Sequence, residues 1–248
     1  MCEEECDGNS ENTSINTKLP VLVEKKPSLV LCYFRVIFGI GFLFILLFGC
    51  AGTVDWISGW FYFGINSLCI FASVPLMYKY NPGMLTRKFP KDTKTFDKIF
   101  MAIYVPVFYS EIVMGALDER YDLSGDFALP LIIAGTLVYG LAFAIWLWSI
   151  IANKNFELTV RIQKDRGHAV CETGPYRFVR HPAYVAGILM FISTPLALST
   201  WWGFIPGGVL VIALIIRTAL EDGMLRKELE GYEEFTNKTK FRLIPKIW

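Results

Sequence analysis

Residues 163–187, which read QKDRGHAVCETGPYRFVRHPAYVAG, are the part of the chain around which the rest is organised. This stretch holds both histidines of the 248-residue chain, His168 and His181. It is a polar segment, interrupted by glycine and proline, that lies between long apolar runs. The polar chemistry of the chain is therefore concentrated here, and the apolar runs are expected to form the scaffold that holds it.

Composition indicates what kind of scaffold this is. Hydrophobic residues make up 54% of the chain, the mean hydropathy is +0.42, and several apolar runs approach or exceed the length of about 18 residues that marks a membrane helix. The net charge is only +1, without the basic bias of a nucleic-acid-binding protein. The six cysteines include no C-x-x-C pair, which argues against a zinc site or a disulfide framework. One membrane domain is predicted, with no metal and no nucleic-acid partner.

The order of segments predicts the domain organisation. Residues 1–28 are a polar tail, of which the first 19 lack the features of a secretory signal and are predicted to be disordered. Residues 29–152 are a four-helix transmembrane scaffold, with apolar segments at 29–52, 56–78, 99–117 and 127–152. Two shorter apolar stretches, 183–198 and 204–220, either cross the membrane as a hairpin or dip in and return. The fold class is therefore an all-α integral membrane protein with five to six transmembrane helices.

Loop charge predicts the orientation. The loop at 79–98 carries six basic residues, Lys79, Arg87, Lys88, Lys91, Lys94 and Lys98, against Asp92 and Asp97. Basic residues near helix ends are retained on the cytoplasmic side. Because each pair of segments returns the chain to the same side, both termini and the stretch at 163–181 are also predicted to face the cytoplasm.

The start of the helix that follows the central stretch predicts a binding site. His181 and Pro182 precede an apolar helix, and proline favours the first helical position, so the helix is predicted to begin at Pro182. Its free N–H groups, around Ala183 and Tyr184, would then bind an anion such as a carboxylate or phosphate, with His181 at the rim.

The turn before this helix suggests a contact for a flat ring. The residues Gly174-Pro175-Tyr176 predict a tight turn that brings Tyr176 against a ring such as adenine. His168 and the backbone around Val170 would supply hydrogen bonds to the edge of that ring. The alternative is a membrane-surface loop whose side chains merely anchor at headgroup depth.

Further ionisable residues lie inside or beside apolar segments. Arg217 and Glu221 are four residues apart on one helix face and could pair with each other, or Arg217 is a snorkelling end-of-helix residue. Glu111 either makes a helix–helix hydrogen bond or belongs to the site. Past the last apolar run, an apolar stripe predicts an amphipathic C-terminal helix; the stripe comprises Leu220, Met224, Leu225, Leu229 and Tyr232.

The spacing H-x-V-x-x-x-G-P-Y-x-x-x-R-H-P-x-Y resembles the C-terminal half of the integral-membrane isoprenylcysteine carboxyl methyltransferases and the related phospholipid methyltransferases. The resemblance covers residues 156–248. It implies that residues 153–248 form a cytoplasmic cofactor-binding and catalytic region for S-adenosylmethionine. The matching cofactor positions are Gln163, His168, Ala169, Val170, Cys171, Tyr176, His181, Pro182, Ala183, Tyr184 and Glu221. Arg217 matches the arginine that the family assigns to the substrate carboxylate, and the family's Glu-Glu doublet is Glu221-Asp222 here.

The resemblance implies methyl transfer to a lipid-linked acceptor, most of all the carboxylate of a prenylated cysteine. A carboxylate is already ionised near pH 7, so Arg217 and Glu221 would act by orienting the reactants. An amine acceptor would instead need a base, Glu221 or Glu111. Because the cofactor arrives from the cytoplasm and the lipid chain from the bilayer, a tunnel between helices is expected.

Other functions stay open from the sequence. A phospholipid N-methyltransferase has the same motif. Membrane sterol and steroid reductases share a similar R-H-P-x-Y stretch, where the resemblance implies NADPH, although the acidic pair Glu221-Asp222 suits an aminoacyl cofactor better than a 2′-phosphate. A transporter or scaffold without catalytic activity is a third possibility, and the sequence leaves the oligomeric state open.

Overall fold

The structure is a computed structural model in which residues 27–86, 90, 92–163 and 167–248 are described. The predicted disordered tail, the basic residues Arg87, Lys88 and Lys91, and Asp165 lie outside the described residues. The helices are α1 (Leu29–Ala51), α2 (Ile57–Tyr80), α3 (Gly83–Thr86), α4 (Thr95–Tyr121), α5 (Leu129–Ala152), α6 (Pro182–Ala197), α7 (Phe204–Glu228) and α8 (Tyr232–Lys238). A 3₁₀ turn spans Gly174–Arg177. No strand occurs in these described ranges.

The predicted fold class is confirmed. Five helices, α1, α2, α4, α5 and α7, are long and apolar enough to cross a membrane. Helical hydrogen bonding satisfies every backbone group within the segment, which is why such apolar runs fold as helices in lipid. The apolar helix α6 has 16 residues and a length of about 24 Å at about 1.5 Å per residue.

These six helices form a closed ring. Following their contacts, α1 packs on α2, α2 on α5, α5 on α6, α6 on α7, α7 on α4, and α4 on α1 again. The ring order differs from the chain order because α5 lies between α2 and α6, while α4 closes the ring between α7 and α1. A ring of helices can enclose a space, and the position of that space determines what the bundle can bind.

One end of the ring is filled with side chains. An apolar core that includes Leu47, Trp56, Tyr62 and Leu198 closes it. At this end the Ser58 hydroxyl donates to the C=O of Leu198 (3.2 Å), so the α6–α7 turn lies beside the α1–α2 turn. The hairpin of α6 and α7 therefore extends from one end of the bundle to the other, and whether it crosses the membrane stays a prediction. We call this the closed end.

The other end carries residues 153–181, and we call it the motif end. The Asn81 amide donates to the C=O of Ile150 (3.2 Å), which joins the end of α2 to the end of α5. The backbone N–H of Lys94 donates to the C=O of Val160 (3.0 Å), and the Lys94 ammonium pairs with Glu228 at 2.8 Å. These contacts hold the segment after α5 between the start of α4 and the end of α7.

Two helices are longer than predicted. Helix α4 begins at Thr95 rather than 99, so Asp97 is a fully buried helical residue and not part of a solvated loop. Helix α7 continues to Glu228 because its charged final turns find partners within the protein. The predicted amphipathic C-terminal helix is consequently divided: its first part is the end of α7, and its last part is the separate α8, which begins after Gly231 at φ 79°.

Orientation in the membrane stays a prediction and can be measured. In a variant without native cysteines, a cysteine at Leu123, which is exposed at the closed end, should react with a membrane-impermeant thiol reagent added to intact cells. A cysteine at Lys240, at the motif end, should react only after the cells are permeabilised. The reverse pattern would show that the basic loop does not determine the topology.

Candidate active site

A narrow cleft lies at the motif end, between the segment after α5 and the end of α7. Its volume is about 100 Å³, and it is partly open to solvent. All the positions predicted to hold a cofactor line this cleft: Gln163, His168, Ala169, Val170, Cys171, Tyr176, His181, Pro182, Ala183, Tyr184 and Glu221. The fold thus brings one contiguous motif together with a residue from the end of α7.

Gln163 and His168 are joined by two hydrogen bonds. The N–H of Gln163 donates to Nδ1 of His168 (3.3 Å), and the N–H of His168 donates to the C=O of Gln163 (3.2 Å). Because Nδ1 accepts, the proton of the neutral ring is on Nε2. Burial lowers the pKa of His168 below its ordinary value, although the carboxylates of Glu157 and Glu221 oppose the shift. The ring is therefore neutral near pH 7 and offers one N–H donor.

The side chain of Gln163 offers an acceptor in the same cleft. It is 1% exposed, and its Nε2 donates to the C=O of Asn155. Its Oε1 has no hydrogen-bond partner among the described residues. An unpaired buried amide oxygen costs about 1–3 kcal/mol, so a ligand N–H donor placed here would be stabilised.

Tyr176 forms a wall of the cleft from the predicted tight turn. Gly174, at the start of this turn, has φ 59°, and a Cβ at this position would approach Ala152 to 2.9 Å, so glycine is required. The Tyr176 hydroxyl donates to the C=O of Ser149 (3.4 Å) at the end of α5. Burial raises the pKa of Tyr176, which keeps it a neutral phenol. The hydroxyl is thus used internally, and the ring is left for contact.

Asp222 is the centre of a buried ionic network beneath the cleft. Its carboxylate is fully buried and accepts from Arg180 (2.7 Å), Arg242 (2.9 Å) and the Tyr232 hydroxyl (3.0 Å), with Nε2 of His181 at 3.3 Å. Burial raises the pKa of Tyr232, as does the adjacent carboxylate. The network connects α7, the start of α6 and the C-terminal segment, and it places His181 in the interior instead of at the predicted rim.

Helix α6 begins at Pro182, as predicted. The preceding residue, His181, donates its N–H to the C=O of Arg242 (3.0 Å), and Tyr184 donates its N–H to the C=O of His181 (3.0 Å). The prediction of a free N–H at Tyr184 is therefore wrong, because the first turn of the helix closes on its own N-cap. An anion site built from several free backbone donors is not present at this helix start.

Tyr184 and Arg217 stand where the cleft meets the interior of the bundle. The Tyr184 hydroxyl donates to the carboxylate of Glu221, and its ring stacks on His181 with centroids 5.5 Å apart. Arg217 does not pair with Glu221 as the spacing suggested. Its Nε lies 2.8 Å from Oδ1 of Asp97 on α4.

Arg217 is held in place from several directions. One of its terminal nitrogens donates to the C=O of Leu158 (2.6 Å). Its guanidinium carbon lies 4.5 Å from the centroid of Phe100 and 5.2 Å from that of Tyr184, within cation–π range of both rings. The side chain is 7% exposed. Arg217 is therefore a buried, oriented cation, and the interpretation as a snorkelling end-of-helix residue is wrong.

A second, larger cavity, which we call the membrane cavity, occupies the interior of the ring. Its volume is about 620 Å³, and its lining is mostly apolar and aromatic, with contributions from α1, α2, α4, α5, α6 and α7. Arg217 lies on its wall. The cavity extends from the motif end toward the closed end, where Asn66 donates to the Tyr139 hydroxyl at 2.6 Å. Its size and lining suit a hydrocarbon ligand.

The cleft and the membrane cavity share part of their lining. Phe156, Glu157, Ala183 and Tyr184 contact both spaces. Tyr184 contacts residues on both sides of this wall. Its hydroxyl donates to Glu221 on the cleft side, and its ring faces Arg217 on the cavity side. The two spaces therefore share a wall, and the tunnel expected to connect the two entrances stays a prediction.

Glu111 lies apart from both spaces and does not line either of them. It is 1% exposed, and neither carboxyl oxygen has a hydrogen-bond partner among the described residues. A Cβ at Gly207 would approach its Oε1 and the C=O of Phe191 to 2.8 Å each. Pro195 removes the helical donor for that carbonyl. Glu111 thus packs where α4, α6 and α7 meet, and among the described residues it neither makes the predicted helix–helix hydrogen bond nor lines either space.

Sequence reasoning did not predict the buried polar contacts of Asp97, Arg180, Arg242 or Tyr232. For Asp97 the only signal was a carboxylate just before an apolar run, and the neighbouring lysines made it resemble a loop residue. Arg180 adjoins His181 in the motif, but its partner Asp222 lies on a different helix. Such pairings depend on the tertiary arrangement and leave no local pattern.

Comparison with known proteins is consistent with this geometry. A family model described as phospholipid methyltransferase matches residues 130–230, which include α5, the motif, α6 and α7. A search of curated protein sequences finds no significant match. The matched region contains all the residues that line the cleft except Tyr232 and Phe235 of α8, and it favours methyl transfer over the reductase and transporter alternatives. Over residues 130–230 the chain is therefore similar to the phospholipid methyltransferase family, and five of its helices are long and apolar enough to cross a membrane.

Proposed function

We propose that the protein is an S-adenosylmethionine-dependent methyltransferase whose acceptor is carried on a hydrocarbon chain. The observation that supports this best is the wall shared by the polar cleft and the apolar cavity. A methyl donor that dissolves in water and an acceptor that dissolves in the bilayer need separate approaches that end at one point. Tyr184, between Glu221 and Arg217, is that point.

The residues of the cleft fit this cofactor. The orphan Oε1 of Gln163 would accept an N–H, the Nε2–H of His168 would donate, and the Glu221 carboxylate would favour a positively charged ligand. Apolar contact would come from Val170 and the ring of Tyr176. When bound, the cofactor supplies a methyl group on a positively charged sulfur. A nucleoside-sized ligand is larger than the cleft volume of about 100 Å³, so part of it would lie in the open space at the mouth of the cleft.

The expected acceptor is the carboxylate of a prenylated cysteine. Arg217 lies on the cavity wall and is held by Phe100 and Tyr184, so it would direct a carboxylate by a charge-assisted, bidentate contact. The carboxylate is already ionised near pH 7 and needs no base. The contribution of the protein is then to orient the acceptor and to exclude water.

The amine of a phospholipid headgroup is the second candidate, and one contact favours it. Asp97 already neutralises Arg217 at 2.8 Å, and Glu221 is a further carboxylate beside Tyr184. Two carboxylates around one guanidinium favour a cationic acceptor. Its ammonium group must lose a proton before it accepts a methyl group, and Glu221, which accepts a hydrogen bond from Tyr184, would act as the base.

One assay separates the two acceptors. Purified protein is incubated with tritium-labelled S-adenosylmethionine and either N-acetyl-S-farnesylcysteine or phosphatidylethanolamine. We expect label in the cysteine derivative that is released by mild base, because a methyl ester hydrolyses and an N-methyl group does not. Base-stable label in the phospholipid alone would establish the second candidate. Absence of label in both, with no binding of S-adenosylhomocysteine, would contradict the proposed function.

A further inference from the structure

Residues 239–248, which we call the C-terminal strap, run beside the segment that leads into α6. The N–H of Arg180 donates to the C=O of Phe241 (2.9 Å), and the N–H of His181 donates to the C=O of Arg242 (3.0 Å). Arg180 and His181 both line the cleft. The strap therefore supports the cleft from behind, through the backbone of two of its lining residues.

The strap is folded on itself by a tight turn. Lys246 has φ 68°, and an oxygen of Trp248 accepts from the backbone N–H groups of residues 242–244 at 2.9–3.2 Å. The turn brings the ring of Trp248 against Arg242, whose guanidinium carbon lies 5.0 Å from the ring centroid. The Nε of Arg242 binds Asp222 at 2.9 Å. The fold of the strap thus determines where one cation of the Asp222 network lies.

The outer face of the strap is both apolar and basic. Ile244 is 52% exposed and Ile247 is 76% exposed, and Phe178, on the segment beside the strap, is 63% exposed. Lys240 and Lys246 are exposed as well, and the sequence of the strap contains no acidic residue. Exposed apolar side chains among cations are typical of segments that bind in the headgroup layer of a membrane.

The length of α6 places the strap at the depth of that layer. Helix α6 is about 24 Å long, which is less than the hydrocarbon thickness of about 30 Å. At the closed end it is followed by Trp201 and Trp202, which are 60% and 45% exposed, and exposed tryptophans favour the membrane interface. With α6 across the membrane as predicted, Pro182 lies no further out than the opposite interface. The strap, which is bonded to the two residues before Pro182, lies at the same depth.

We propose that the C-terminal strap docks in the headgroup layer of an anionic membrane surface, with its exposed isoleucines toward the lipid chains and its lysines beside the lipid headgroups. The partner is the cytoplasmic leaflet, which carries anionic lipids and which the motif end is predicted to face. Docking keeps Arg242 on Asp222 and so stabilises the cleft. The docking itself is independent of the proposed function, whereas its effect on the cleft rests on that function.

The depth of the strap can be measured directly. In a variant without native cysteines, placed in nanodiscs of phosphatidylcholine and phosphatidylserine, a nitroxide is attached to a cysteine at Ile247. It should collide more with oxygen, which partitions into lipid, than with a water-soluble nickel complex. A nitroxide at Asn237, which is exposed on α8, should show the reverse. More collision with nickel at Ile247, or protection from both reagents by a second copy of the chain, would overturn the docking.

The anionic partner is tested through Lys246. Glycine readily adopts the positive φ of this position, so Lys246→Gly should keep the turn and remove only the cation. It should lower the ratio of docked to undocked strap about fivefold, the contribution of one lysine near an anionic surface. Omission of phosphatidylserine should also lower this ratio. Lys227→Gln removes an exposed cation of α7 and is the control, which should change nothing. An equal loss in both variants, or no response to phosphatidylserine, would overturn the recognition of anionic lipid.

The effect on the cleft is measured with S-adenosylhomocysteine and the native cysteines in place. Ile247→Ser should weaken its binding at least about threefold, a fraction of the transfer free energy of a buried isoleucine. Leu123→Ser, which alters an exposed apolar residue at the closed end, should leave the affinity unchanged. An unaltered affinity in Ile247→Ser would overturn the link between strap and cleft. If the nitroxide shows docking but the unchanged protein does not bind S-adenosylhomocysteine, the docking stands and the proposed function fails.

Discussion

Arg217→Lys should lower kcat/KM for methyl transfer to a prenylcysteine carboxylate by at least tenfold, which corresponds to about 1.4 kcal/mol of transition-state stabilisation. Arg217 reaches Asp97 with one nitrogen and the C=O of Leu158 with another, while its flat guanidinium lies between Phe100 and Tyr184. Lysine keeps the charge but has a single nitrogen, so it cannot satisfy both partners and also grip a carboxylate at two points.

The affinity for S-adenosylhomocysteine should stay nearly constant in this variant, since Arg217 does not line the cleft. Glu221→Gln, on the cleft side of Tyr184, should instead weaken cofactor binding. Arg120→Lys at the closed end makes the same chemical change outside the site and should leave both quantities unaltered. If methyl transfer to the carboxylate is unchanged in Arg217→Lys, Arg217 does not recognise the acceptor. The amine headgroup then becomes the favoured acceptor.

The Arg217–Asp97 pair sets a requirement on any carboxylate acceptor. Breaking a buried ion pair is expensive, because it leaves a charge uncompensated in a medium of low dielectric constant. A carboxylate acceptor therefore has to share the guanidinium with Asp97 or replace it. Asp97 is also fixed by the N–H of Val160 (2.8 Å), so its position depends on the segment that leads into the cleft. The same pair thus links the acceptor end of the cavity to the backbone that frames the cofactor cleft.

Hydropathy predicted the transmembrane helices because a long apolar run in a bilayer has to satisfy its backbone hydrogen bonds internally, which a helix does. It failed at the ends of α4 and α7, where charged residues continue the helix by pairing inside the protein. Asp97 and Asp222 look like solvated residues when only their sequence neighbours are considered. Their burial is explained by Arg217 in the first case and by Arg180 and Arg242 in the second, which come from distant parts of the chain.

The motif side of the cleft could be predicted residue by residue, because the turn and the proline-started helix of this short motif fix the local backbone, whereas the lining from residues 153–161 and from α8 could not. The membrane cavity could not be predicted from the sequence. Its lining comes from six helices, and the ring order that places α5 beside α2 and α4 beside α7 has no counterpart in the order of the sequence. The same holds for the contact between Asn66 and Tyr139, which joins α2 and α5 through a single hydrogen bond.

Asp222→Asn should destabilise the protein more than any other single change in the site. The carboxylate is fully buried and neutralises Arg180, whose side chain is 3% exposed, while it also binds Arg242. Removing one partner of a buried ion pair costs about 3–5 kcal/mol, because the remaining charge is left unpaired. Asparagine keeps the shape but loses the charge, so we expect a loss of that size in the free energy of unfolding and a lower Tm in detergent.

Asp92→Asn is the matched control, since Asp92 pairs with Arg161 at 3.0 Å but its side chain is 60% exposed. Exposed pairs contribute about 0–1 kcal/mol, so the Tm of this variant should be close to that of the unchanged protein. Asp222→Asn should also weaken S-adenosylhomocysteine binding, because the Asp222 carboxylate positions His181 and, through its ring, Tyr184. Equal melting temperatures for the two variants would show that Arg180 and Arg242 find other compensation, and that Asp222 does not hold the cleft together.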